Sequence, residues 1–178
     1  MKITVYDTET TSNDPENDRI IEFACMMIDE NGTELFRFTK LVNPKMKIAP
    51  KATALHGYSA ADVIDCPTID TLLPAISRII EKSDYICGHN IAGFDNIILE
   101  NEYKRCGLIM PALPEVIDTM QWRGVTPDGK APRLEELAWA MGVDYDKSEA
   151  HKAMYDVNVS AQCVLKGLPL RGKLLGIT

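Results

Sequence analysis

The sequence predicts an α/β fold in which a mixed sheet carries helices on its faces. Two features of its order predict this. Three strand-like runs follow one another at the start of the chain with short turns between them; after that, short apolar strands alternate with helical stretches. The apolar fraction, 46% of 178 residues, is enough to build a core of ordinary size. No repeat, low-complexity stretch or obvious linker divides the chain, so residues 1–178 are expected to form a single domain.

Residues 3–9, ITVYDTE, read as the first strand, opened by β-branched and aromatic residues. RIIEFACMMID (19–29) is the second, and Asn31-Gly32 after it marks a tight turn. ELFRFTKLV (34–42) is the third; the short connections make these three an antiparallel meander. PKMKIAPKATALHGYSAADV (44–63) is irregular, with short helical pieces. Thr68 to Lys82 places Ile69, Leu72, Leu73, Ile76, Ile79 and Ile80 on one side of a helix, with Pro74 as the awkward residue. YICGHN (85–90) is a short buried strand, Phe94 to Cys106 a helix ended by Gly107, and VIDT (116–119) another short strand. Arg133 to Met141 is helical and closes at Gly142; Ala150 to Leu165 is the last long helix.

Several classes are excluded or disfavoured. No apolar run approaches the roughly 18 residues of a membrane span, and MKITVYDTET runs too soon into acids to serve as a signal peptide. Five cysteines, an odd number without a C-x-x-C pair, read as reduced thiols and point to the cytoplasm. A net charge of −7 predicts weak non-specific affinity for long duplexes. It suits a protein that grips only the end of a strand.

The acids are not scattered. Asp7 and Glu9 are two apart on a strand, so they share a face and project together from its end. Two bare carboxylates that close repel, and tolerate proximity cheaply only with cations between them. Oxygen-loving Mg2+ or Mn2+ is the natural filler. Asp95 follows near a helix start, and His151 and Asp156 are five apart. On one continuous helix that spacing turns two residues about 140° from each other. Both serve one site only if His151 lies at or just before the helix start. An acidic cluster with one histidine fits hydrolysis of a phosphodiester assisted by two metal ions.

The segments YDTET, GHNIAGFDNIIL and HKAMYDV resemble the three exonuclease motifs of the DEDDh 3'–5' exonucleases, the DnaQ-like family. That family includes the proofreading epsilon subunit of bacterial DNA polymerase III, ribonuclease T, oligoribonuclease and the three-prime repair exonucleases. The similarity runs from Ile3 to about Cys163. It implies the ribonuclease H-like fold with a central five-stranded mixed sheet, and it makes residues 1–178 a single exonuclease domain. It implies two divalent metal ions, Mg2+ or Mn2+, held by Asp7, Glu9, Asp95 and Asp156, with Asp95 at the less tightly held one. It makes His151, on a mobile loop, the general base, a role suited to an imidazole. Thr8 and Thr10 are expected to bind the terminal nucleotide and its 3'-hydroxyl. Leu55 is expected as a wedge near the terminal bases, His56 as a pocket residue, Asn90 as a reach toward sugar or phosphate, and Phe94 as a stacking platform, a sequence-tolerant contact. His89 is expected to organise the strand end, and Asp118 to act as a structural hydrogen-bond acceptor. The third motif departs from the family's usual H-x-A-x-x-D-A in Val157 after the aspartate, and carries Lys152 after the histidine. Tyr155 does not replace His151, so the chain resembles the His subtype rather than the Tyr subtype.

The resemblance implies release of nucleoside 5'-monophosphates from the 3' ends of single-stranded or frayed DNA. An RNA 3' exonuclease of the ribonuclease T or oligoribonuclease kind is the nearest alternative, because the choice rests on 2'-hydroxyl contacts. A catalytically silent nucleic-acid-binding module is a third. No membrane partner is expected. The closing segment GLPLRGKLLGIT shows no evident polymerase tether, which favours a stand-alone enzyme; the oligomeric state is unreadable from sequence.

Overall fold

The structure is a computed structural model in which residues 1–170 are described. Residues 171–178, most of the segment on which the tether expectation rests, lie outside the described residues.

Among the described residues five strands form one sheet in the order β3-β2-β1-β4-β5. β1 (Lys2–Thr10), β2 (Ile20–Asp29) and β3 (Glu34–Leu41) pair antiparallel, as the meander predicts. The β2–β3 turn places Gly32 at φ 84, a conformation glycine adopts without a Cβ clash. β4 (Tyr85–Gly88) runs parallel to β1, and β5 (Glu115–Asp118) parallel to β4, which makes the sheet mixed. This is the five-stranded arrangement of the ribonuclease H-like fold. β1 is central, and the chain leaves it to one side for β2 and to the other for β4. Ligands of open α/β sheets gather at such a reversal, beyond the carboxyl ends of the strands. Asp7, Glu9 and the turn after β4 sit there.

Strand alternation divides the core into two layers. Ile3, Val5, Ala24, Met26 and Ile28 pack on the face covered by α6 (Ala153–Gly167) and α5 (Leu134–Ala140). Tyr6, Phe23, Cys25 and Met27 pack on the opposite face, under α3 (Leu73–Glu81) and α4 (Asp95–Arg105). Two short helices, α1 (Pro50–His56) and α2 (Ala60–Val63), make up the ordered part of the irregular stretch. No helix among the described residues is long and apolar enough to cross a membrane.

Several helix boundaries differ from the sequence expectation, α5 by one residue at each end. Thr68–Lys82 is not one helix: a single turn at Ile69–Thr71 precedes α3, and Pro74 falls in the first turn of α3. A proline lacks only a donor that the first turn leaves unbonded, so it starts the helix instead of breaking it. α6 begins at Ala153 rather than Ala150 and continues to Gly167, which sets His151 ahead of it. Phe94 and Cys106 cap α4 from outside.

Candidate active site

β1 carries Asp7 and Glu9 on its α6-facing side, and α6 carries Asp156 in its first turn. Carboxylate oxygens of these three lie within 4.8 Å of one another. Asp156 accepts the His151 amide on Oδ2 at 3.1 Å, while its Oδ1 is buried without a partner. An orphaned anionic oxygen in a knot of acids is what a hard cation satisfies. The residues present therefore fit a divalent ion.

Asp95 comes from the other layer. It opens α4 and is 3% exposed. The Thr8 amide donates to its Oδ1 at 3.0 Å and the Thr8 hydroxyl at 2.7 Å. It stands beside the three-acid group, close enough for its charge to act on Asp7, but outside the 4.8 Å spacing. Thr8 is thus committed to Asp95, which leaves Thr10 as the threonine on the wall of a groove shared with Leu55 and His56. The Thr10 hydroxyl donates to the Ser12 carbonyl.

The electrostatics describe a site short of positive charge. Burial, with Asp95 and Glu9 next, holds Asp7 well above the usual carboxylate range. Burial, with Asp156, Glu22 and Asp95 beside it, pushes Glu9 up to about 9. Asp156 is raised to about 6 by burial. Asp95 is raised to about 7 by burial, against the opposing hydrogen bonds from Thr8. Divalent cations would reverse each of these shifts.

His151 lies on the exposed connection before α6, with φ 63. That backbone turn brings its amide back onto Asp156 and removes the 140° obstacle of a continuous helix. On the other flank, a groove of about 610 Å³ is lined by Glu9, Thr10, Ser12, Pro50, Leu55 and His56. Leu55 is 55% exposed. His56 is buried, and its Nδ1 accepts the Tyr58 amide at 3.1 Å, which assigns the ring proton to Nε2. Another depression of equal volume, on α4 beside Ile97, Leu108 and Ile109, contains none of the clustered acids.

Asn90 and Phe94 lie outside the groove lining, in the connection from β4 into α4. Asp118 braces that connection. Its carboxylate accepts the Asn90 amide at 2.9 Å, the Ala92 amide at 3.1 Å and the Met120 amide at 2.9 Å. His89 Nδ1 is paired with the Thr119 hydroxyl at 3.0 Å. His89 is paired at the end of β4 and Asp118 is a structural acceptor, as the sequence suggests. Gly88 is required by close approach: a Cβ there would lie 2.8 Å from Ile91 Cβ and 2.9 Å from the Tyr6 carbonyl oxygen.

One residue escaped the sequence reading. Glu22 is opposite Glu9 in the β1–β2 ladder and is 7% exposed. The available signal was a lone acid inside an apolar strand, IIEFACMMI.

Residues 4–164 match the family model RNase_T, described as exonuclease. The chain belongs to the exonuclease family. It is of the DEDDh, DnaQ-like type that the three segments resemble. Over 168 residues it is 30% identical to the 3'–5' exonuclease DinG of Bacillus subtilis (strain 168), covering 93% of this chain and 17% of that protein. Over 163 residues it is 28% identical to a PolC-type DNA polymerase III of Staphylococcus aureus, covering 91% of this chain and 11% of the polymerase. The chain thus corresponds to a small part of each of these relatives. Among solved structures, E. coli exonuclease I in complex with a dA16 oligonucleotide superposes with a TM-score of 0.81 at 18% identity, over 98% of this chain and 42% of that one. Exonuclease X in complex with 5' overhanging duplex DNA gives 0.71 at 24% identity, over 98% of both chains. These two likenesses establish the fold.

Proposed function

We propose that this exonuclease-family chain is a metal-dependent 3'–5' exonuclease that releases nucleoside 5'-monophosphates from single-stranded or frayed DNA ends. The observation that carries the reading is the meeting of Asp7, Glu9 and Asp156 within 4.8 Å, beside Asp95 and with Glu9 on the wall of the Leu55–His56 groove. Residues 1–178 act as a single exonuclease domain in this reading. Its five cysteines, all free thiols, support a cytoplasmic setting.

Asp7, Glu9 and Asp156 would hold one divalent cation, and Asp7 with Asp95 a second, Mg2+ or Mn2+. Bound there, such ions supply charge neutralisation and Lewis-acid polarisation at the scissile phosphodiester. The chain's own groups do the rest. The His151 imidazole takes the proton of the attacking water as general base. Asp156, through its bond to the His151 amide, keeps that residue at the cluster. Thr8 holds Asp95 in one orientation. Thr10, Leu55 and His56 grip the terminal nucleotide, Phe94 stacks on a base, and Asn90 reaches the sugar-phosphate.

DNA is placed first because exonucleases I and X, which share the fold, were solved in complex with DNA. Side-by-side digestion of 5'-labelled single-stranded DNA and RNA of one sequence, with Mg2+, Mn2+ or chelator, tests the reading. Faster metal-dependent shortening of DNA supports it. Faster shortening of RNA moves the substrate to the ribonuclease alternative, and retention of both strands intact leaves only a binding module.

A further inference from the structure

Glu22 interrupts an otherwise apolar strand on the sheet face that meets α6. Its register with Glu9 sets two carboxylates side by side, an unfavourable cross-strand pair. Its Oε1 accepts the Thr39 hydroxyl of β3 at 3.2 Å, whereas Oε2 is buried with no partner at hydrogen-bonding geometry. Two more donors lie near enough to favour its charged form, against the burial that raises the carboxyl. One is the Tyr58 hydroxyl, in the α1–α2 connection just past Leu55 and His56; the other is the amide of Ala153, the first residue of α6. A helix N-terminus favours a nearby carboxylate, and Lys152 provides α6 with no side-chain cap. One buried side chain is therefore approached by the strand bearing Glu9, the segment bearing Leu55 and His56, and the helix start bearing His151 and Asp156. A buried acid with an orphaned oxygen is costly on its own. Its place at this junction explains what it does.

We infer that Glu22 is a positioning residue: from β2 it braces Glu9 and the first turn of α6, so that Asp156 and His151 are held against the same cluster. The inference rests on the nuclease reading above. It gives Glu22 no contact with substrate or metal. Reach is the property that matters most, because the job is to meet Thr39, Tyr58 and Ala153 at once.

Two variants separate reach from charge. Glu22→Gln keeps the length and an accepting oxygen but removes the charge. Glu22→Asp keeps the charge but withdraws the oxygens by one methylene. Partners that orient a metal site are worth about 10–100-fold in affinity or activity, so Glu22→Asp should lose roughly that much in kcat or in half-saturating Mn2+. Its KM for a single-stranded oligonucleotide should stay near wild type. Glu22→Gln should lose less than Glu22→Asp, since its amide oxygen still accepts from Thr39 although its NH2 turns one acceptor into a donor. Melting temperatures run in parallel establish that both variants are folded; a purely structural role would lower them and leave kcat and Mn2+ dependence unchanged. Glu22→Asp within about twofold of wild type, or Glu22→Gln more impaired than Glu22→Asp, overturns the inference. If wild type itself degrades no oligonucleotide with either metal, the nuclease reading falls first and the inference with it.

Discussion

The backbone amide of His151 donates to the carboxylate of Asp156 across 3.1 Å, so the two residues of the third segment are tied through main chain rather than through the imidazole. Removing the imidazole leaves this tie in place. His151→Ala should therefore lower the single-turnover rate by about 10²–10⁴-fold, the usual contribution of a general base. Mn2+ binding measured by calorimetry should stay near wild type, because Asp7, Glu9 and Asp156 remain. A variant with its full rate would remove His151 from the mechanism.

The metal-free protein should lose stability as pH rises. Glu9 is shifted from 4.5 to about 9, Asp95 from 3.8 to about 7 and Asp156 from 3.8 to about 6. Each is raised, so between the ordinary and the shifted value the folded state holds more protons than the unfolded chain, and stability falls with pH. The contribution is fully present below the ordinary carboxylate values and is lost as pH climbs through the shifted ones. In EDTA the melting temperature should thus fall between about pH 5 and 9. Mg2+ or Mn2+ should remove the decline by binding the deprotonated cluster of the folded state. Asp7→Asn should melt higher than wild type in EDTA at pH 8, because it removes an acid that burial and its neighbours make costly to ionise.

Thr8→Val removes one of the two donors on Asp95 Oδ1. Leaving a buried acceptor short of a partner destabilises by about 1–3 kcal/mol. Activity should fall about 10–100-fold as Asp95 loses its orientation. Chemical denaturation and rate measurements on the same preparation check both; full activity with unchanged stability would show that the hydroxyl does nothing for Asp95.

The gripping residues should act on binding. Phe94→Ala should raise KM for single-stranded DNA by the equivalent of about 1–3 kcal/mol per stacked base, with little preference among the four bases. Leu55 is largely exposed, so Leu55→Ala should weaken substrate binding without lowering the melting temperature. A fall in kcat alone, with KM unchanged, would argue against both contacts.

Much of this molecule was legible in its sequence, for physical reasons. A strand's two-residue period is rigid, so Asp7-x-Glu9 had to share a face. The spacing of His151 and Asp156 could serve one site only with the histidine off the helix, and His151, at φ 63, does precede α6. The runs of β-branched residues gave the strands, and Asn31-Gly32 the turn between β2 and β3. What stayed hidden depends on contacts between segments distant in sequence. Pro74 looks like a breaker until tertiary packing makes Leu73 a helix start. Thr8 reads as a nucleotide contact until α4 brings Asp95 onto its hydroxyl. Glu22 is an ordinary strand acid until the β1–β2 register sets it against Glu9.

The most direct test is digestion of a 5'-labelled single strand, linear or closed into a circle, in Mg2+ and in excess EDTA. With Mg2+ the linear strand should give a ladder shortening from its 3' end, a 3'-phosphate should block it, and the circle should survive. In EDTA nothing should be cut, and in Mg2+ Asp7→Ala should be slower than wild type by at least about a thousandfold, since a ligand shared by both cation positions is lost. Hydrolysis that persists in EDTA, or cleavage of the circle, would contradict a metal-dependent enzyme that grips a 3' end.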